Sequence, residues 1–427
     1  MRFQPSKNWM NDPNGPIFHE GRWHLFYQYN PNGDQWGEIG WGHASSSDLV
    51  TWEEQDLALY ADGEHFIFSG SVVHDAENVS GLGTGSSSPL IAYYTGHHRE
   101  GEARQVQCMA YSLDDGATWN KYRANPILDL GEANFRDPKV FWHEPSQKWI
   151  MLTVLAAERS VLFHTSINLI SWDLTFRFDA PIIGEHEWEC PDLLELPVSN
   201  SDPGDTKWVL FVSVGGGAPA GGVGVQYFIG DFDGVRFLPD VDDIGAWVDQ
   251  GPDFYAPQSF AGLKNAEQGG VWLGWMNNWI YAKHTLANPS RGMMTAPRHL
   301  TLHREGEAFR LIQIPFLEPE KRRIPTNRPF QLRISSEQGE FAALEIDPTR
   351  GRLVLDRTGL SSALPSEMRN RYTVDWEPGS GAASYLICDN KGMEAFLNGG
   401  RVSFTALLQF EGAELEFDSS LDKEAVT

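Results

Sequence analysis

Apolar and polar residues alternate in short runs along most of the chain, and Gly, Asp, Asn and Ser separate the runs. The spacing of an amphipathic helix is scarce, so the pattern predicts an all-β protein. Several runs look alike: GRWHLFYQY from Gly21, SPLIAYYT from Ser88, QKWIMLTV from Gln147, TKWVLFVS from Thr206 and GVWLGWMN from Gly270. Trp23, Trp149, Trp208 and Trp272 hold the same place in four of them, and Leu90 holds it in the other. A second run follows each of the first four, ending at Trp52, Trp119, Trp172 and Phe237. Strand clusters recurring about every sixty residues, without helices, predict a β-propeller, and five repeats predict five blades.

The pattern changes near residue 315. PFLEPEKRRIPTNRP is proline-rich and charged, as a linker is. Beyond Phe330, RLVLDR, ASYLIC and MEAFLNGGRVSFTALL alternate as antiparallel strands do, with Asn398-Gly399 as a hairpin turn. The expected organisation is a five-bladed β-propeller over 1–315, a linker over 316–329 and a small C-terminal β-sandwich over 330–427.

Composition narrows the function. The 427 residues carry a formal net charge of -25, which argues against nucleic acid and against an anionic membrane surface. No run reaches the ~20 apolar residues of a membrane span. Residues 1–8 lack the apolar stretch of a signal peptide. Three cysteines, Cys108, Cys190 and Cys388, cannot all pair, so no disulfide framework is expected. The sequon Asn78-Val79-Ser80 is compatible with secretion. Sixteen tryptophans supply apolar faces on which sugar rings stack, although most are expected to fill the β core.

Acidic residues recur just ahead of the repeated runs. Asp12 precedes Trp23, Asp137 precedes Trp149, Glu189 precedes Trp208 and Asp253 precedes Trp272. Asp12 sits in NWMNDPNGP, where turn formers would suit a surface turn equally well. Innermost strands of a propeller converge on one axis, however, and converging carboxylates mean either a cation site or acid/base chemistry. Closely spaced oxygen ligands of a calcium loop are not apparent, and no metal or cofactor is expected. Two carboxylates about 5 to 5.5 Å apart, one nucleophile and one acid/base, would make a retaining glycosidase.

The segments WMNDPNG, FRDP and WECP, with FSGS at Phe68–Ser71, AYSLDDGATW, QYFIGDFDG, GPDFYA, GWMNNW and Pro297-Arg298, resemble glycoside hydrolase family 32. That family comprises the β-fructofuranosidases: invertases, inulinases, levanases and related fructosyltransferases. The resemblance covers residues 1 to about 315 closely and the remainder loosely, with LVLDRT the best match there. It implies a propeller plus sandwich, and a retaining exo-hydrolase of sucrose, inulin or levan. A fructosyltransferase on the same fold is the alternative, and a non-catalytic fructan-binding protein is a more distant one.

By the resemblance Asp12 is the nucleophile, Asp137 stabilises the oxocarbenium charge and Glu189 is the acid/base. Arg136 binds fructosyl hydroxyls, and Asn11, Gln28, Trp36, Phe68, Ser69 and Trp275 line the pocket for the terminal fructose. Cys190 packs beside the acid, and Asp253 is a candidate for the rim. Glu187 and Glu189 lie two apart, so on a strand they share a face. Glu187 would then bind hydroxyls, and crowded like charges would help Glu189 to keep a proton. Two departures stand out: the sandwich is short, and the family's SVEVF-like segment reads GMEAF. Secretion is the expected localisation, with an intracellular protein as the alternative.

Overall fold

A computed structural model describes residues 2–85, 87–100, 104–179, 185–240, 245–263, 269–316, 322–378, 382–410 and 414–417. It is all-β, and no helix among these residues is long and apolar enough to cross a membrane. Up to Pro315 the strands form successive antiparallel blade sheets in chain order. The first runs Trp9–His19, Arg22–Asn30, Gly40–Ser46 and Glu53–Glu54, each strand paired to the next. The later sheets begin with His65–His74, Phe135–His143, Trp188–Pro197 and Tyr255–Ser259.

These first strands are largely buried. Each touches the first strand of the next sheet, and Tyr255–Ser259 returns against Trp9–His19, so they close a ring. The repeated tryptophans explain the spacing seen in the sequence. Trp23, Trp149, Trp208 and Trp272 all lie on second strands, where they pack between sheets. Trp208 meets Phe141 and Phe232, and Trp272 meets Phe211 and Phe254. Outermost strands such as Glu53–Glu54 and Asn120–Lys121 are short, charged and exposed, which guards the sheet edges against further pairing.

A bulge interrupts every first strand. Pairing shifts between Met10 and Pro13, Ile67 and Gly70, Arg136 and Lys139, Glu189 and Asp192, and Tyr255 and Gln258. In four of the five an X-Pro step sits at the shift: Asp12-Pro13, Asp137-Pro138, Cys190-Pro191 and Ala256-Pro257. Proline has no N–H for the ladder, so the strand must bulge there. Asp137, Cys190 and Ala256 take φ of 64°, 45° and 47°, a region costly for residues with a Cβ and concentrated at functional sites. The second sheet uses Gly70 instead. A Cβ there would lie 1.9 Å from the carbonyl oxygen of Tyr93, so only glycine fits.

The C-terminal strands form two further sheets over a shared apolar cluster that includes Ile324, Leu344, Leu355, Leu386 and Phe404. The hairpin at Asn398-Gly399 is present, joining Gly392–Leu397 to Val402–Leu407. The expected linker is corrected in part. Arg322–Ile324 is a strand paired with Ser384–Cys388, its alternation placing Ile324 in the core, while 317–321 lie outside the described residues. Buried ion pairs join the two parts of the chain. Arg298 bridges Asp249 and Glu394, and Asp253 pairs with Arg357.

Candidate active site

The bulges turn a set of polar side chains toward one end of the ring. Asp12, partly buried, accepts from Ser69 Oγ at 2.8 Å and from Asn11 Nδ2 at 3.0 Å. Asn11 is itself fixed by Trp9, whose indole N–H donates to Asn11 Oδ1 at 2.8 Å. Asn14 ties the bulge down by donating to the Asp12 carbonyl at 2.7 Å and accepting from the Gly70 amide at 3.0 Å. Asp12 is therefore a mounted carboxylate and not a surface-turn cap.

Cys190 links two of the acids. Its amide donates to Asp137 Oδ2 at 2.9 Å, and its Sγ lies 3.7 Å from Asp12 Oδ2. Burial and the surrounding carboxylates push its thiol well up, so the sulfur stays protonated. It does more than pack beside the acid: it offers an S–H donor to Asp12. The Asp137 amide is satisfied by Thr95 Oγ1 at 2.8 Å.

Glu189 and Glu187 share one guanidinium. Arg136 Nη2 donates to Glu187 Oε2 at 2.8 Å and Glu189 Oε1 at 3.2 Å, so both glutamates do face the same side. Glu187 is half exposed, while Arg136 is buried. Tyr255 donates its hydroxyl to Glu189 Oε2. Crowding shows itself at the aspartates. Burial first, and then the charge of Glu189, raises Asp12 to about 6, against the hydrogen bonds from Asn11 and Ser69. Burial also raises Asp137, opposed by the adjacent Arg136.

The other expected pocket residues divide. Trp36 is 39% exposed and meets Phe68 edge-on, with ring centroids 6.0 Å apart. Gln28 is buried, donating to Ile67 O at 3.1 Å and Asn14 Oδ1 at 3.4 Å, so it braces the bulges of two sheets. Trp275 corrects the expectation that it lines the pocket. It is fully buried against Trp9 and Trp279, because its strand meets the Trp9 strand in the interior. Asp253 is likewise not on a rim. It is fully buried and holds Arg357 at 2.9 Å and the Leu407 amide at 2.8 Å.

Sequence reasoning missed Tyr255, Thr95 and Asn14. Distance from the next tryptophan had pointed to Asp253, whereas the X-Pro steps would have aligned Tyr255-Ala256-Pro257 with Glu189-Cys190-Pro191.

Residues 2–315 match the model of the glycosyl hydrolases family 32 N-terminal domain. The chain is 39% identical to the levanase of Bacillus subtilis over 449 residues, which cover 95% of this chain and 65% of that protein. It is 43% identical to the extracellular exo-inulinase of Aspergillus awamori over 344 residues, covering 73% of this chain and 63% of that one. The chain thus spans a little under two thirds of either relative's length. The crystal structure of the Aspergillus awamori exo-inulinase superposes with a TM-score of 0.86 at 34% identity, over 98% of this chain and 95% of that one. A β-fructofuranosidase from Schwanniomyces occidentalis, complexed with fructosyl-erythritol, gives a TM-score of 0.85 at 32% identity, over 98% and 94%.

Proposed function

The chain belongs to glycoside hydrolase family 32, and from that premise we propose that it cleaves terminal β-fructofuranosyl units from sucrose or fructans such as inulin and levan. The reaction is a double displacement with retention. The observation that carries this reading is the meeting of Asp12, Asp137 and Glu189 around Cys190 and Arg136 at one end of the strand ring. The names of the levanase and exo-inulinase relatives, and the fructosyl ligand in the Schwanniomyces structure, support the substrate class.

Asp12 attacks the anomeric carbon. Its three donors, Ser69, Asn11 and the Cys190 thiol, aim the carboxylate before the sugar arrives, so little reorganisation remains at the moment of bond formation. Glu189 gives its proton to the leaving oxygen. Formation of the fructosyl ester then consumes the charge of Asp12, and Glu189, now a carboxylate, takes a proton from the water that hydrolyses the ester. Asp137 and the charged Arg136 lie beside both acids, where the oxocarbenium charge and the fructosyl hydroxyls are met. Trp36, Phe68 and Glu187 complete the walls, and Gln28 braces the bulges of the first two sheets.

The surrounding fold is a five-bladed propeller over 1–315 followed by a β-sandwich, a reading supported by the ring of first strands and the two C-terminal sheets. Secretion is supported by the extracellular exo-inulinase relative. The test is sugar release from sucrose, inulin and levan with products separated by size, and early NMR of the released anomer. Free β-fructose from the first moments, with long chains persisting, is expected. Initial α-fructose overturns retention, a ladder of oligomers overturns exo action, and transfer products without free fructose overturn hydrolysis.

A further inference from the structure

The imidazole of His97 lies flat against the ring of Phe68, with centroids 4.7 Å apart and planes 7° from parallel. Phe68 in turn meets the edge of Trp36, so three rings form one continuous aromatic wall. His97, half-buried, is therefore one end of a wall whose other end, Trp36, faces solvent.

The same imidazole is also tied to the acids. Gln105 lies opposite His97 on the neighbouring strand, and its Nε2 is 3.4 Å from His97 Nδ1. An amide nitrogen can only donate, so Nδ1 accepts and the proton sits on Nε2. The Gln105 carbonyl oxygen accepts from Arg136 Nη1 at 3.5 Å, and Nη2 of that guanidinium holds Glu187 and Glu189. Gln105 is 5% exposed, so its amide is not free to turn toward water. Reversing it would set its nitrogen against the Arg136 donors.

This setting favours the neutral ring. Burial first, then Arg136, His98 and His65, lower His97 from the usual histidine range. A proton on Nδ1 would confront both the Gln105 amide hydrogens and the Arg136 charge.

We propose that His97 is a positioning residue of this site with two separable roles: its ring face sets Phe68 and the sugar-binding wall, and its Nδ1, through Gln105, sets Arg136 against Glu189. The proposal rests on the fructoside-cleaving reading given above. The two roles predict a split. Loss of the ring loosens the pocket and shows in KM, while loss of the polar relay misplaces the guanidinium beside the acid and shows in kcat.

Three variants separate them, each checked for an unchanged Tm: His97→Ala, His97→Phe and Gln105→Leu. On sucrose, His97→Ala is expected to raise KM, and the inhibition constant for fructose, about fivefold and to lower kcat about tenfold. His97→Phe keeps the stacked ring, so KM and the fructose constant return to within about twofold of the parent while kcat stays low. Gln105→Leu should repeat the kcat loss with a smaller rise in KM than His97→Ala, since Arg136 also meets the fructosyl hydroxyls. Equal KM values for His97→Ala and His97→Phe, or a parental kcat in Gln105→Leu, overturn the proposal. An activity-independent readout keeps it separate from the functional reading. Imidazole nitrogen NMR, with the His97 signal assigned by its disappearance in His97→Phe, should show the Nε2–H tautomer near neutral pH. A protonated Nδ1 overturns the proposal even in a protein that cleaves no fructoside. If His97→Ala does not fold, His97→Phe, Gln105→Leu and the tautomer decide.

Discussion

Tyr255 donates its hydroxyl to Oε2 of Glu189 from a position 1% exposed to water. Burial pushes the phenol well above its ordinary range, so the oxygen always carries its hydrogen. With Arg136 Nη2 on Oε1, both oxygens of Glu189 meet donors, which fixes the direction in which the carboxyl group points. Tyr255→Phe removes one donor while keeping the ring. Its kcat should fall by about tenfold because the carboxyl is less firmly aimed. KM should change little. A parental kcat would detach Tyr255 from the reaction.

In its proposed role as nucleophile Asp12 must be ionised, and its carboxyl is raised from 3.8 to about 6, so kcat/KM should fall as pH drops below about 6. Stability follows by linkage. Between the unfolded value of 3.8 and about 6 the folded chain holds more protons than the unfolded one, so this group lowers stability as pH rises through that window. Asp12→Asn should remove turnover by thousands-fold or more. It should also raise Tm at pH 7, by an effect on the order of 1 kcal/mol, and hardly at all at pH 4. A variant less stable than the parent at pH 7 would show that the carboxylate is not strained by its burial.

Much of this was legible in the chain, and for identifiable reasons. The tryptophans of the second strands recur because each fills the same gap between sheets, so the repeat could be read without knowing the fold. Asp12, Asp137 and Glu189 stood out through motifs built around an acidic residue and a proline. The relation between GPDFYA and LVLDRT was not legible. Both segments resemble the family, yet only the structure joins Asp253 of one to Arg357 of the other. Likewise Glu394 of GMEAF pairs with Arg298 of the Pro297-Arg298 step. Contacts between residues about a hundred apart leave no period in a single sequence. Trp275 was misjudged for a related reason: its neighbours in sequence are polar, but its neighbours in space are Trp9 and Trp279.

Glu189→Ala should separate the two chemical steps. Without the acid, substrates whose leaving oxygen needs a proton should lose nearly all activity. Fructosides with very good leaving groups should still form the ester, so a burst of leaving group should precede slow turnover. Glu187→Gln leaves Arg136 with one carboxylate fewer and should raise KM severalfold with a smaller change in kcat. Equal losses on good and poor leaving groups in Glu189→Ala would remove it as the acid.

The final prediction concerns Asp253 and Arg357, which are wholly buried and whose charged atoms lie 2.9 Å apart. Tyr281 also donates to this carboxylate, and the Leu407 amide does so at 2.8 Å, so a residue of the blade sheets is satisfied largely by the C-terminal sheets. Removing either charge strands the other in the interior, which costs about 3–5 kcal/mol. Arg357→Leu and Asp253→Asn should each lower stability by that amount in urea unfolding, and the double variant should be less damaged than the two losses added together. The pair also bears on catalysis. Asp253 precedes Tyr255 by two residues, so one short segment is held by the C-terminal sheets through Asp253 and holds Glu189 through Tyr255. Arg357→Leu, assayed well below its Tm, should therefore lower kcat severalfold and leave KM nearly unchanged, although it touches no substrate. A stability loss below about 1 kcal/mol would mean that water or a proton relieves the stranded carboxylate. A parental kcat would mean that Tyr255 is placed by its own sheet alone.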